Sequence, residues 1–346
     1  MMRTETSIHR QLSLGRILNP ALRFARIGNV NLAYESLGPA AAPPVVLIHG
    51  LGQQLTGWPD SLAAALVQSG YRVIRFDNRD IGKSSRQNGK PHLAWLYLRA
   101  QFGLRSRAPY SLDDMAHDTA SLIDQLGLGP VHLVGASMGG MIAQIVAARF
   151  PAAVRSLTSI MSSSGDPRLP KARADVLKRI FNPPQDPSVE EETAYAVRTW
   201  ELIASPGYPT ARGVWIDRVK RDLERNAPAA HGSERQFAAI LAAGSRVPLL
   251  GLIDKPTLVL HGAQDPLVPV AAGRSTARHI RGASFECIDG MGHDFPEALM
   301  PRISNRLVKH FLEADSASRA FPPSCEGTRS ARSTGASSRS IIGEPA

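Results

Sequence analysis

The stretch Val131-His-Leu-Val-Gly-Ala-Ser137-Met-Gly-Gly-Met-Ile-Ala-Gln-Ile-Val-Ala-Ala-Arg149 constrains the fold more than any other part of the chain. A short apolar run turns through glycines directly into an apolar helical pattern, with one serine at the corner. Glycines at 135 and 139 let strand and helix approach closely around a strained residue, so Ser137 is expected to project its hydroxyl from a nucleophile elbow. With 29 Gly in 346 residues, a serine flanked this way arises by chance roughly one time in five, so the motif alone decides little. Its context does more. Val131 to Gly135 reads as a buried strand, and Met138 to Phe150, stopped by Pro151, reads as a helix that starts immediately after the serine.

Other elements follow from the same reading. Arg23 to Gly28 and Asn31 to Gly38 alternate around Gly28-Asn29 as a hairpin. Strands are expected at Pro44 to His49, Tyr71 to Asp77 and Val154 to Met161, with helices at Trp58 to Ser69 and Tyr110 to Leu126. Strands alternating with helices imply a mostly parallel sheet covered on both faces, an α/β fold. The alternation breaks between Ser162 and Pro248. Four helical patterns there, near Ala172–Phe181, Ser188–Ala204, Ala211–Asn226 and Ser233–Ala243, read as a helical cap spanning 166–247 and inserted after the sixth strand. The sheet pattern resumes at Pro256–Gly262, a helix at Val270–Ile280 and a strand at Ser284–Ile288, and closes with a helix from Pro296 to about Glu313. The expected core is therefore 22–165 and 248–313. Residues 1–21 read as a flexible arm and 314–346 as a disordered tail whose removal leaves turnover and melting unchanged.

Lys and Arg number 40 against 30 Asp and Glu, giving a net charge of +10. The arginines are scattered and no nucleic-acid motif accompanies them, so nucleic acid is not expected as a partner. Two cysteines make no disulfide framework and indicate a reducing compartment. The first residues lack the apolar core of a signal peptide, and 131–148 is too polar for a membrane span; a cytoplasmic protein is expected. The basic, aromatic insert Pro91 to Leu104, with Arg99, Arg105 and Arg107, reads as a helix packing against the cap or as a lid for lipid-like substrates. Membrane contact is not otherwise expected, and it would run through residues 91–107.

A serine hydroxyl needs a base and an orienting acid to act as a nucleophile. His293, in Gly-Met-Gly-His-Asp-Phe-Pro after the last strand, is the best base, because it shares the carboxyl edge of the sheet with Ser137. His49 and His261 precede glycines at strand ends and are expected to shape turns. Asp265 follows the strand at 256–262 by a short loop and fits best as the acid; Asp166, after the preceding strand, is its rival. The Met138 amide, at a helix N-terminus beside the nucleophile, is one expected oxyanion donor. Trp58, Trp200 and Trp215 are candidates to line a substrate pocket, or else core residues.

The chain order Ser137, Asp265, His293, together with the elbow and His49-Gly50, resembles the α/β-hydrolase superfamily over roughly residues 22–313. The elbow Gly-Ala-Ser-Met-Gly-Gly, the Asp77-Asn-Arg-Asp-Ile-Gly-Lys-Ser84 loop and Gly-Met-Gly-His-Asp are most similar to aclacinomycin-methylesterase-like serine esterases. The resemblance implies a second oxyanion donor at the Leu51 amide. Many relatives carry glycine where this chain has Asp80, which leaves that acid either structural or facing the pocket. The implied activity is cleavage of a small-molecule carboxylic ester through an acyl-enzyme, without metal or organic cofactor. Perhydrolase or carbon–carbon bond hydrolysis on the same triad, and a non-catalytic small-molecule receptor, are the alternatives.

Overall fold

A computed structural model describes residues 20–102, 104, 106–184, 188–225 and 231–320. Its centre is an eight-stranded sheet in the order β1-β2-β4-β3-β5-β6-β7-β8. The hairpin β1 (Arg23–Ile27) and β2 (Val30–Leu37) forms one margin, and β2 runs antiparallel to β4 (Arg72–Phe76). From β4 onward the strands are parallel: β3 (Pro44–Ile48), β5 (Val131–Ala136), β6 (Val154–Ile160), β7 (Thr257–Gly262) and β8 (Ser284–Ile288). Every residue of β5 and β7 is buried, as a strand covered on both faces requires.

Register sets the edge that matters. Ile48 pairs with Gly135, Ala136 with Ile160, Ile160 with Leu260 and Gly262 with Ile288, so these five strands end level. The loops after β3, β5, β7 and β8 therefore open onto one side of the sheet.

Helices α1 (Asp60–Gln68), α2 (Leu93–Gln101), α3 (Leu112–Gln125) and α4 (Met138–Arg149) precede the insertion. One sheet face packs α3 and α4 through Met115, Leu122, Ile142 and Val146, while the other takes α1 and the last helix through Leu62, Leu66, Leu307 and Phe311. Ser111 caps α3 through a reciprocal capping box with Asp114, worth about 1 kcal/mol.

Between β6 and β7 the chain leaves the sheet for α5 (Ala174–Phe181), α6 (Val189–Ile203), α7 (Arg212–Arg225), α8 (Gly232–Ala243) and the short α9 (Val247–Leu250). α6 and α7 carry a small core of their own, in which Trp200 and Trp215 stack at 5.2 Å and 2°. Helix α2 packs against α8, and Tyr97 meets Phe181 of α5 at 4.9 Å, which is the packing alternative for the 91–107 insert.

After α10 (Val270–His279) the last helix, α11, spans Met300–Ala320, so the expected boundary at Ala314 is too early. Ala314 is fully buried, and Asp315 receives a 3.0 Å hydrogen bond from Arg155. The expectations for 1–19 and for 321–346 fall outside the described residues. Removing everything after Glu313 is accordingly expected to lower the melting temperature, whereas a chain ending at Ala320 keeps these contacts. A partly buried ion pair and one alanine are worth on the order of 1–2 kcal/mol, and each kcal/mol moves Tm by roughly 2–4 °C in a domain of this size. Equal melting of the two truncations would show that Ala314 and Asp315 contribute nothing.

Candidate active site

At the β5–α4 junction Ser137 has φ 55° and ψ −120°, a region L-residues avoid. The strain is possible because the corner is glycine-built. A Cβ on Gly135 would overlap the Gly139 carbonyl, and one on Gly139 would overlap the Ile48 carbonyl, so helix and strands cross at backbone distance. Gly50, just after β3, backs against the serine; a Cβ there would stand 3.0 Å from Ser137 Cβ and 3.5 Å from its Oγ.

His293, from the loop after β8, faces Ser137 Oγ across 3.0 Å with its Nε2, and its Nδ1 lies 2.7 Å from Asp265 Oδ2. Asp265, after β7, accepts the backbone N–H groups of Leu267 at 2.9 Å and Val268 at 2.8 Å with its other oxygen. Burial pushes this carboxyl up. His293 and His261 outweigh it and hold the pKa at about 2, so the group is a carboxylate at neutral pH. Because the carboxylate faces Nδ1, that nitrogen carries the proton and Nε2 is left to accept from the serine. Asp166 takes no part in this line. It binds the backbone and guanidinium of Arg168 instead, at 3.0 Å and 2.7 Å.

Leu51 follows Gly50, and Met138 opens α4; neither backbone N–H has an acceptor among the described residues. Met138 adjoins Ser137 in the chain, and Leu51 adjoins Gly50, which backs against the serine. Among the described residues no group of three or more His, Cys, Asp or Glu side chains is placed to hold a metal ion.

The sequence model of the α/β hydrolase fold matches residues 43–297, which takes in every element that carries these side chains. The chain belongs to the α/β-hydrolase fold family. Among curated proteins it is 27% identical over 306 residues to rhodomycin D methylesterase DnrP of Streptomyces peucetius, covering 81% of this chain and 95% of that one. It is 26% identical over 266 residues to 3-oxoadipate enol-lactonase 2 of Acinetobacter baylyi, covering 75% and 86%. Among solved structures, a hydrolase from Pseudomonas aeruginosa PA01 superposes with a TM-score of 0.63 at 26% identity, over 84% of this chain and 98% of that one.

In this α/β hydrolase the helices inserted between β6 and β7 are hydrogen-bonded to the loops after β3, β4 and β8. Gln236 of α8 is buried; its Oε1 accepts the Gly52 N–H at 2.9 Å and its Nε2 donates to the Arg79 carbonyl at 2.9 Å. Arg218 of α7 donates to Gln53 at 2.9 Å and Gly57 at 3.2 Å, and Asp222 accepts from Gln54 and Thr56 at 2.6 Å each. On the histidine side, Ile203 accepts the His293 N–H at 2.7 Å, while Ser205 accepts the Gly292 N–H at 2.8 Å and donates to Asp294. These partners carry no local sequence signal, since each joins a residue of the insertion to a loop far away in the chain.

Asp80 resolves as structural. It is buried and accepts from Nε and Nη2 of Arg235 of α8, at 2.9 Å and 2.7 Å, so it ties the insertion to the loop after β4. The tryptophans take up the core alternative that the sequence left open. Trp58 is completely buried between His49 and Phe295, and Trp200 and Trp215 stack beneath the Arg218 guanidinium in the cap core. Trp58 and Trp215 do line a cavity of about 530 Å³ under α7, but Ser137 and His293 are not among its walls. Bulky apolar side chains filled core here, because stacking on each other and on one another's neighbours buries more area than a pocket wall would.

His49 shapes the turn. Its Nδ1 accepts the Gly50 N–H at 2.7 Å, and burial, helped by the Arg218 charge, pulls its pKa down to about 3. His132, the second residue of β5, is likewise pulled down by burial, to about 4. Both folded values lie below the reference value of about 6.5, so acid protonates these groups first in the unfolded chain. Their contribution to stability is complete above about pH 6.5 and is lost as pH falls toward 4, at about 1.4 kcal/mol per pH unit for each histidine. Urea midpoints measured across that window are expected to drop, with His49 and His132 each contributing up to about one proton of slope. A His49→Asn variant should lose one proton of slope, and an unchanged slope would mean that His49 titrates alike in both states.

Proposed function

We propose that this α/β hydrolase cleaves small-molecule carboxylic esters through an acyl-enzyme. The observation that carries the reading is the hydrogen-bonded line from Ser137 through His293 to Asp265, at 3.0 Å and 2.7 Å. Ser137 Oγ attacks the ester carbonyl as His293 Nε2 takes its proton, and the Asp265 carboxylate stabilises the imidazolium that results. The carbonyl oxygen becomes an anion and is met by the Leu51 and Met138 amides, held beforehand by the His49-Gly50 turn and by the start of α4. His293 then returns the proton to the leaving alcohol. Water, activated by the same imidazole, attacks the acyl-serine and releases the acid.

The relatives support the ester class, since the two curated proteins named above are a methylesterase and an enol-lactonase. A fluorophosphonate probe tests the reading directly, because it reacts only with an activated serine in a working site. Stoichiometric labelling that maps to Ser137, with matching loss of p-nitrophenyl ester hydrolysis, is the expected result. A folded protein that neither takes the label nor turns over a panel of short and medium acyl esters would refute it, and would favour a binding protein that kept the geometry.

A further inference from the structure

Residues 81–112 hold six cations, Lys83, Arg86, Lys90, Arg99, Arg105 and Arg107, and no Asp or Glu. Six of the ten net positive charges of the chain thus fall in a stretch of 32 residues. Helix α2 sits inside that stretch. Its inner side is accounted for: Leu96 is buried, and Tyr97 packs on the cap. The outer side is not. Trp95, Leu98 and Phe102, spaced three and four residues apart, form one stripe that is 58%, 49% and 71% exposed, and Leu104 extends it at 51%. Four large apolar side chains left in water on one short segment mark a contact surface.

The charges around the stripe select its partner. Lys90 and Arg107 are exposed at the two ends of the segment, and exposed Lys171 of the adjoining cap segment reaches Gln101. A second copy docking by the same face would set these cations against their own duplicates, with no carboxylate in the segment to pair them. A nucleic acid would answer the cations but offers no apolar phase for Trp95, Leu98 and Phe102. An anionic lipid surface answers both, because phosphate headgroups take the cations while the acyl boundary takes the rings.

We propose that the outer face of α2, Trp95, Leu98, Phe102 and Leu104 flanked by Lys90, Arg107 and Lys171, docks the protein reversibly onto anionic phospholipid surfaces. Lys and Arg stems lie along the interface while their charges stay at headgroup level, as such side chains do. Among the described residues no helix is long and apolar enough to cross a membrane, so the contact is peripheral. Binding is read without any assay of hydrolysis, so it stands or falls apart from the ester reading.

The full chain is mixed with vesicles of phosphatidylglycerol and phosphatidylcholine, or of phosphatidylcholine alone, and sedimented. Wild type should pellet with the anionic vesicles, much less with the neutral ones, and lose most of its binding in high salt. The double variant Trp95→Ser, Phe102→Ser should bind about tenfold or more weakly while its melting temperature stays unchanged. A separate measurement covers loss of folding: brominated lipid should quench wild-type tryptophan fluorescence, and Trp95→Phe, which keeps the apolar face, should still pellet but lose most of the quenching. The proposal is overturned if wild type ignores anionic vesicles, or if the double variant binds them as wild type does. It is equally overturned if wild type is a dimer that the double variant splits, or if DNA binds as tightly as the vesicles and the double variant leaves that binding intact.

Discussion

Ser137→Ala is expected to abolish ester hydrolysis, lowering kcat on the order of a millionfold, while melting stays close to wild type. The substitution deletes only the hydroxyl, and Ala keeps the Cβ that packs against Gly50. His293→Ala should cost about as much, and the double variant no more than either alone, because nucleophile and base act as one unit. Residual turnover then reflects binding and the two amides. Measured with a chromogenic ester, retention of even a tenth of wild-type kcat by Ser137→Ala would place the nucleophile elsewhere.

Asp265→Asn is expected to fold and yet to lose roughly three to four powers of ten in kcat. The geometry specifies why. Oδ1 accepts the N–H groups of Leu267 and Val268, so the asparagine carbonyl keeps that side and its NH₂ turns toward His293 Nδ1. An NH₂ there forces the proton onto Nε2, the nitrogen that must accept from Ser137. Asp166→Asn serves as the control. Its partner Arg168 is 80% exposed, and the pair lies outside the Ser137 line, so rates should move by less than about tenfold. If Asp166→Asn were crippled and Asp265→Asn active, the acid would belong after β6 and the proton path described above would be wrong.

Much of this molecule can be read from local patterns. Alternating strands and helices, glycine pairs at turns and a proline stop at 151 are written within windows of ten or so residues, and those elements fall within a few residues of where the patterns put them. Loop residues at strand ends are legible for a related reason: in a parallel sheet every strand presents its carboxyl end on one side, so Ser137, Asp265 and His293 share an edge by topology. What is not legible joins distant positions. Gln236 meets Gly52 across 184 residues, Arg218 meets Gln53 across 165 and Asp80 meets Arg235 across 155. A lone Gln or Arg in an amphipathic helix reads as solvated surface until its partner is placed. Trp58, Trp200 and Trp215 illustrate a different limit, since a large aromatic ring suits a pocket wall and a core equally well and only the neighbours decide. The end of α11 was hidden by composition: Ala-Asp-Ser-Ala-Ser-Arg lacks an apolar stripe, yet one buried alanine and one aspartate anchor it.

Because Gln236, Arg218, Asp222 and Ser205 reach from the inserted helices into both loops that flank Ser137, the insertion is not an interchangeable visor. Substrate preference in such a scaffold cannot be re-engineered by grafting a foreign cap at the ends of β6 and β7. The graft would have to bring along donors and acceptors matched to Gly52, Gln53, Gln54 and Gly292, or the recipient would keep its sheet and lose the alignment of its amides and its imidazole.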